Sequence, residues 1–238
     1  MVQTSRGCPF DCSFCSVTGI FGKKFRYRSV ESVLDEVRHY NRRDHFVFFC
    51  DDNFTANRRR ARELVGALER EKVRFQWSTQ VRTDLARDPE LVALMKRAGC
   101  HTVFIGFESV NAKSLTEMKK NQTVEEIRHA IRVIQGAGIH IHGMFVFGFE
   151  EDDWQTVEAT VELAREMKLT SVQLLILTPL PGSELYERLA GAGRLTTRDW
   201  DLYDTHHVVF QPAGFTPPSS SSAPKCTGTA GFTPFQRA

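Results

Sequence analysis

Apolar segments typical of β-strands recur about every thirty residues along this 238-residue chain and alternate with helical patterns. The clearest are Phe46–Phe49, Phe75–Thr79, Thr102–Phe107, His140–Phe147 and Val172–Leu177, with a shorter one at Val2–Ser5. Almost uninterrupted apolar strands alternating with helices predict an α/β fold, in which helices cover a parallel sheet. Six such units fit a partial (β/α)6 barrel of the TIM type, and periodicity leaves a doubly wound open sheet as the alternative. In both folds the active site lies at the carboxyl ends of the strands.

The helices between these strands are marked by apolar spacing and by capping residues. One helix is predicted after Ser29, with apolar residues at i, i+3, i+4 and i+7 counted from Val30. Another is predicted to open at Asp88-Pro89-Glu90, because proline is favoured at the first helical position. Thr123 and Glu126 predict a capping box at the start of a third.

Composition excludes several classes of protein. A net charge of +2 gives no sign of a nucleic-acid or membrane partner. No apolar stretch approaches the ~20 residues needed to cross a bilayer, and the N-terminus does not resemble a signal peptide. Six cysteines at uneven spacing, with no paired pattern, indicate a reducing compartment, so we expect a cytoplasmic protein.

The chain changes in character near Pro212. Residues 213–238 are rich in Pro, Gly, Ser and Thr, including the run Ser219–Ser222. A segment of this composition buries too little apolar surface to offset the entropy lost on ordering. We therefore expect one domain over residues 1–212, followed by a disordered low-complexity tail over residues 213–238.

Three cysteines lie close together near the N-terminus: Cys8, Cys12 and Cys15, spaced C-x3-C-x2-C. Three thiolates on one short loop can hold an iron–sulfur cluster in which one iron has no protein ligand. A zinc knuckle is the alternative, since Cys12 and Cys15 alone would form half of one. Tetrahedral structural zinc needs a fourth ligand, however, and Cys50, Cys100 and Cys226 are isolated in the sequence.

The cysteine segment resembles the signature of the radical S-adenosylmethionine (radical SAM) superfamily, in which an aromatic residue, here Phe14, precedes the third cysteine. The run Asp51-Asp52-Asn53-Phe54 resembles the corresponding motif in one branch of this superfamily. That branch contains the cobalamin-dependent enzymes and the magnesium-porphyrin cyclase group. The resemblance covers about residues 2–212 and implies the partial barrel. Relatives in this branch usually carry a cobalamin-binding domain before the barrel, and the motif Asp-x-His-x-x-Gly does not occur in this chain. Either the enzyme works without cobalamin, or cobalamin is supplied by another domain or subunit.

The resemblance also implies residues that bind SAM. Asp51 and Asp52 correspond to the motif for the SAM amine, with an Asx turn that caps the next helix as the alternative. Arg82 ends the next strand and is expected to pair with the SAM carboxylate, or else with Asp84 or Asp88.

Further along, Glu108 and Ser109 resemble the family's Gly-x-Glu-Ser element, which contacts the SAM ribose or amino group. A glutamate that follows a buried strand needs a partner for its charge. Gly143 resembles the glycine that lets adenine approach the backbone. His140 and His142 share one face of their strand, and at least one is expected to be an ordinary packed and hydrogen-bonded histidine.

The implied activity is reductive cleavage of SAM at a 4Fe–4S cluster. The resulting 5′-deoxyadenosyl radical would abstract hydrogen from an unknown small-molecule substrate and lead to methylation, cyclisation or rearrangement. A reductant such as flavodoxin or ferredoxin is the implied partner. Two alternatives stay open: an iron–sulfur or zinc protein without SAM chemistry, and an inactive piece of a larger cobalamin-binding enzyme.

Overall fold

A computed structural model describes residues 1–215 and confirms the α/β fold. Five parallel strands form one sheet in sequential order: β3 (Phe46–Phe49), β4 (Gln76–Val81), β5 (Cys100–Glu108), β6 (His140–Phe147) and β7 (Ser171–Ile176). All four pairings are parallel, which requires a crossover between each strand and the next. The predicted strands β3 and β6 are confirmed at both ends, and the other three differ by one or two residues.

The sixth predicted strand, Val2–Ser5, is reduced to a single parallel bridge in which Val2 pairs with Phe49. The chain then leaves the sheet. Ser5–Arg6 (β1) pairs in the antiparallel direction with Arg26–Tyr27 (β2), forming a two-stranded ribbon beside the main sheet. The segment is therefore shorter as a barrel strand than its apolar pattern predicts, because its last residue, Ser5, pairs with β2 instead.

Eight α-helices occur within residues 1–215: α1 (Val17–Phe21), α2 (Val30–Arg38), α3 (Arg58–Arg70), α4 (Pro89–Arg97), α5 (Ala112–Glu117), α6 (Val124–Gly136), α7 (Trp154–Glu166) and α8 (Glu184–Gly191). The predicted caps are confirmed. Ser29 accepts the Ser32 N–H, Pro89 is the first residue of α4, and Thr123 and Glu126 cap each other's backbone. None of these helices is both long and apolar enough to span a membrane.

The two faces of the sheet differ. The helix-covered face is a continuous apolar core that includes Trp77 and Phe49. On the opposite face the rings of Phe48 and Phe104 meet at 5.5 Å, although β4 lies between their strands. This contact across an intervening strand fits the curvature of a partial barrel. The His142 ring packs at a tilt of 43° against Phe104, with centroids 4.7 Å apart, and its Nδ1 lies 2.8 Å from the Ser171 hydroxyl, which confirms a packed and hydrogen-bonded histidine.

The C-terminal end of the described chain packs against α7. Phe215 meets Trp154 edge to face, with ring centroids 5.5 Å apart. Most of the predicted tail, residues 216–238, lies outside the described residues, as does Cys226. The boundary at residue 212 and the disorder of the tail stay predictions.

Candidate functional site

The cysteine loop is anchored at its centre by Ser13, which is 8% exposed. The Ser13 N–H donates to the Met118 carbonyl over 3.0 Å, and its hydroxyl donates to the Glu117 carbonyl. The Ser13 carbonyl accepts the Leu185 N–H at the start of α8. The end of α5 and the beginning of α8 therefore fix the loop between Cys12 and Cys15, although both elements are distant in sequence.

The three cysteines are half-buried, and none forms a disulfide with another described cysteine. The Cys15 N–H donates to the Cys12 carbonyl over 3.1 Å, so these two residues share one tight turn. Burial raises the pKa of the Cys8 thiol, and the charge of Arg82 acts in the opposite direction. Burial also raises the pKa of the Cys15 thiol, with Lys120 opposing the shift. Each terminal cysteine of the triplet thus has a cation within electrostatic range.

This donor set fits a polynuclear centre better than a single ion. A zinc ion binds all of its sulfur ligands at a Zn–S distance of ~2.3 Å, so these ligands must converge on one point. In an iron–sulfur cluster each thiolate binds a different iron, so the thiolates lie farther apart. Three separate, accessible thiols on one loop therefore fit a cluster.

Asp51 is completely buried and already occupied by hydrogen bonds. Its carboxylate accepts the backbone N–H and the hydroxyl of both Thr4 and Ser5, with distances of 3.1 Å to the Thr4 nitrogen and 2.6 Å to the Ser5 hydroxyl oxygen. Burial raises the Asp51 pKa, and these hydrogen bonds oppose that shift. The contacts tie the N-terminal segment to the end of β3, which gives Asp51 a structural function.

Asp52 is only half-buried and lies nearer the cysteines. Burial raises its pKa, a hydrogen bond from the Gly7 backbone opposes the shift, and its charge raises the pKa of the Cys8 thiol. The predicted alternative for this pair, an Asx cap on the next helix, is wrong. Asn57 caps α3 by accepting the Arg60 N–H over 3.0 Å.

Asn53 follows directly and is 1% exposed, yet both polar atoms of its side chain lack a protein partner within residues 1–215. Buried polar groups are normally hydrogen-bonded, so an unused amide indicates a site for water or a ligand. The end of β3 therefore offers a carboxylate with free hydrogen-bonding capacity and an unpartnered amide in consecutive positions. These residues fit a polar ligand.

Arg82 lies against the cysteine loop. Its Nη1 is 3.6 Å from the Cys12 Sγ, its guanidinium carbon lies 3.9 Å from the centre of the Phe10 ring, and its Nη2 donates to the Lys120 carbonyl. The alternative ion pair predicted for Arg82 does not form among the described residues, because Asp84 and Asp88 pair with Arg58 instead.

Glu108 has the partner that its burial requires. Its Oε1 accepts a hydrogen bond from Lys120 Nζ over 2.7 Å, and both side chains are more than 90% buried. Glu108 lies at an irregularity in the pairing of β5 with β6 and has a φ of +65°, a value uncommon for a residue with a side chain. A Cβ on Gly106 would overlap the Glu108 carboxylate, so this close approach requires glycine.

The other predicted residues have mainly structural contacts. Ser109 is 1% exposed, and its hydroxyl accepts the Asn111 N–H over 3.0 Å. A Cβ on Gly143 would lie 3.0–3.1 Å from Leu169 and Phe107, so the absent side chain serves packing within the protein core. Phe14 packs edge to face on Phe149, with centroids 5.9 Å apart.

Lys120 is the functional candidate that the sequence patterns missed. It joins three parts of the site, because its side chain pairs with Glu108, lies 5.9 Å from the Phe14 ring and opposes the pKa shift of Cys15. The available signal was the polar run Lys119–Gln122, which follows the Glu108-Ser109 element by about ten residues. Nothing local distinguishes Lys120 from Lys119, whose side chain pairs with Glu184 at the surface.

Comparison with known proteins agrees with this geometry. The sequence model of the radical SAM superfamily matches residues 2–164. An uncharacterized methyltransferase from Pyrococcus horikoshii is 34% identical over 91% of this chain and 47% of its own length. The bacteriochlorophyllide d C-12(1)-methyltransferase of Chlorobaculum tepidum is 32% identical over 89% of this chain and 46% of its own length. The chain thus spans about half the length of these relatives.

Among solved structures, the fold is similar to that of TsrM from Kitasatospora setae. That protein is described as a radical S-adenosylmethionine methyltransferase with cobalamin and a 4Fe–4S cluster bound. The TM-score is 0.74 at 21% sequence identity, and the match covers 80% of this chain and 39% of TsrM. At this identity the comparison supports the fold.

Proposed function

The chain belongs to the radical SAM superfamily, and on that premise we propose that Cys8, Cys12 and Cys15 hold a 4Fe–4S cluster with one iron open to SAM. The family uses this cluster and SAM as its cofactors. When bound, they supply reductive cleavage of a carbon–sulfur bond and so a 5′-deoxyadenosyl radical. The observation that carries the proposal is the loop itself: three free, accessible thiols, fixed through Ser13 and flanked by Arg82 and Lys120.

Different residues of this chain serve different parts of the cofactor site. Asp52 is the candidate for the SAM ammonium group, because its carboxylate keeps accepting capacity close to Cys8 and charge-assisted hydrogen bonds are strong. Asp51 positions that segment by holding Thr4 and Ser5.

Arg82 holds a positive charge at the Cys12 sulfur. Its guanidinium has five N–H donors, so those not used by Cys12 and Lys120 can also serve the SAM carboxylate. Glu108, Ser109 and Gly143 stay predicted contacts for the ribose, amino group and adenine.

We propose that the reaction is the transfer of a methyl group to a small-molecule substrate. Two relatives above 30% identity are named as methyltransferases. Because the chain spans about half of their length, the complete reaction is proposed to need the remaining part of such a protein. Cobalamin, if the reaction uses it, would be supplied by that part or by a separate subunit. A low-potential electron carrier and a reducing, cytoplasmic compartment belong to the same proposal.

The test is a SAM-cleavage assay on the full chain after anaerobic reconstitution with iron and sulfide. With dithionite as reductant, the protein is expected to show the visible absorbance of a cluster and to release 5′-deoxyadenosine from SAM. A loaded cluster without cleavage would favour an iron–sulfur protein, or a piece that needs its missing partner domain. Failure to bind iron, together with stoichiometric zinc, would overturn the proposal and favour the zinc alternative.

A further inference from the structure

The segment that follows the third cysteine, residues 16–27, contains no buried residue. It comprises α1, a short loop and β2, and neither regular element contributes a side chain to the core. Ile20 on α1 is 67% exposed and Tyr27 on β2 is 42% exposed. Single exposed apolar residues are ordinary on protein surfaces, so they do not by themselves indicate a partner. The segment is a surface stretch of chain that directly follows the cysteine loop, and its charge is its distinguishing property.

Positive charge is concentrated around the same segment. Between Ser5 and Arg28 the only acid is Asp11, against five cations: Arg6, Lys23, Lys24, Arg26 and Arg28.

Two of these cations are neutralised by acids. Asp11 pairs with Lys23, and Arg28 pairs with Glu36. Arg6 hydrogen-bonds to Gln3 and Arg26 to the Phe21 carbonyl, and within residues 1–215 neither these two nor Lys24 has an acidic partner. Three unneutralised cations thus share a small area of a protein whose whole net charge is +2.

Two of these cations face each other in a way that costs stability. Arg6 lies directly opposite Arg26 in the antiparallel ribbon formed by β1 and β2. Like charges at directly opposed positions destabilise a strand pair. A short ribbon with no buried residue in β2 has little other packing to offset this repulsion. An anionic partner that covers both side chains would convert the repulsion into a favourable contact.

The ribbon is in close contact with the cysteine loop. Gly7, between Arg6 and Cys8, has a φ of +96°, and a Cβ there would lie 2.9 Å from the Lys24 carbonyl oxygen. The backbone of the basic segment therefore packs directly against the residue that precedes Cys8. A molecule bound to Arg6, Lys24 and Arg26 would be held within a few residues of the cluster ligand.

We propose that Arg6, Ile20, Lys24 and Arg26 form the docking surface for a small acidic protein that carries single electrons at low potential, of the flavodoxin or ferredoxin class. This inference rests on the proposed function, because only a protein with a cluster at Cys8, Cys12 and Cys15 needs such a partner. In the docked complex the carrier would be oxidised by one electron, and a cluster held at the three cysteines would be reduced by that electron. No bond forms or breaks in this step. Complementary charge mainly raises the rate of association and fixes its orientation.

The test compares two double variants with the same change in charge. Lys24→Gln/Arg26→Gln removes two cations from the proposed surface. Arg43→Gln/Arg132→Gln is the matched control, since both of its arginines are exposed and lie on the α2–β3 loop and on α6. The full chain is reconstituted under anaerobic conditions, and cluster reduction by a purified bacterial flavodoxin hydroquinone is followed by stopped-flow absorbance over a range of salt concentrations.

At low salt, Lys24→Gln/Arg26→Gln is expected to slow reduction by flavodoxin about tenfold or more, as steered association predicts, while the control stays within about twofold. High salt should remove the difference between wild type and variant. Reduction by dithionite, and the 5′-deoxyadenosine it drives, should be the same in all three proteins.

Equal slowing in both double variants, or a wild-type rate that does not respond to salt, would overturn the proposed surface. A variant that loses its cluster is replaced by the single variant Lys24→Gln, whose side chain makes no hydrogen bond within the described chain. If dithionite-driven SAM cleavage is absent in wild type, the proposed function fails separately, and that outcome is distinguishable from a failure of docking. If another domain of a longer chain covers this surface instead, the proposed docking site is wrong. The reaction with flavodoxin would then not depend on salt.

Discussion

Lys120 and Glu108 form a salt bridge of 2.7 Å in which neither side chain is more than 9% exposed. Glu108 adopts a left-handed backbone conformation at the end of β5, next to an irregularity in strand pairing. Unusual backbone conformations persist only where the surroundings stabilise them, and they are frequent at functional sites. The pair connects the end of β5 to the loop that supports the cysteines, which makes it the first target for mutation.

Glu108→Gln is expected to destabilise the protein by about 3–5 kcal/mol, because it leaves the Lys120 ammonium buried without a counter-charge. The double variant Glu108→Gln/Lys120→Met should recover most of this loss, since it removes both charges. Chemical denaturation of the apoprotein measures the difference. A single variant as stable as wild type would show that water reaches Lys120.

Gly106→Ala is expected to cost about 1–3 kcal/mol, because the new methyl group would overlap the Glu108 carboxylate and displace it from Lys120. Gly136→Ala is the matched control. Gly136 lies in α6 with no atom within 4 Å of an added Cβ, so alanine should stabilise by about 0.5–1 kcal/mol. Opposite signs in thermal unfolding would confirm the contact, whereas two stabilising substitutions would contradict it.

Cys12→Ala is expected to abolish both cluster binding and SAM cleavage, because two thiolates cannot replace three on this loop. Cys100→Ala should retain both, since Cys100 is 1% exposed and part of the apolar core. Iron and sulfide analysis, visible absorbance and release of 5′-deoxyadenosine measure the outcome. The assignment would be wrong if both variants lost the cluster to the same extent.

Arg82→Gln is expected to make the midpoint potential of the loaded cluster more negative. It removes a positive charge and an N–H donor 3.6 Å from the Cys12 sulfur, and hydrogen bonds to cluster sulfurs help to set the potential. Arg87→Gln is the control, because Arg87 pairs with Glu126 on the surface. A potentiometric titration followed by electron paramagnetic resonance measures both, and an unchanged potential in Arg82→Gln would argue against this contact.

Asp152→Asn tests the pH dependence of stability. Burial raises the Asp152 pKa above 3.8, so the folded state binds a proton more readily than the unfolded chain. The carboxyl group therefore contributes most to stability below its ordinary pKa and less as pH rises through its raised pKa.

The asparagine variant can keep the existing contacts, since its carbonyl can accept from Gly148 and Phe149 and its amide can donate to Ser114. Relative to wild type, Asp152→Asn should gain stability as pH rises from 3.8 through the raised pKa of the wild-type carboxyl, because that buried carboxyl then ionises. Urea unfolding at several pH values measures this difference. A constant difference across that range would show that Asp152 titrates alike in both states.

Features that depend on short spacing along the chain could be predicted from the sequence alone. The strands β3 and β6, the caps at Ser29 and Thr123 and the cysteine triplet all follow from patterns that span a few residues. Helix and strand periods, capping geometry and loop ligand spacing are local properties, so a single sequence carries them.

The partners of the polar site residues depend on the tertiary fold and could not be predicted from local patterns. Asp51, a predicted ligand contact, accepts hydrogen bonds from Thr4 and Ser5, some 46 positions away. Arg82 reaches Cys12 across 70 positions. Val2 keeps one bridge to the main sheet, while Ser5 and Arg6 form a ribbon with β2. These outcomes depend on how the packed strands and loops bring distant residues together, and no local period records that arrangement.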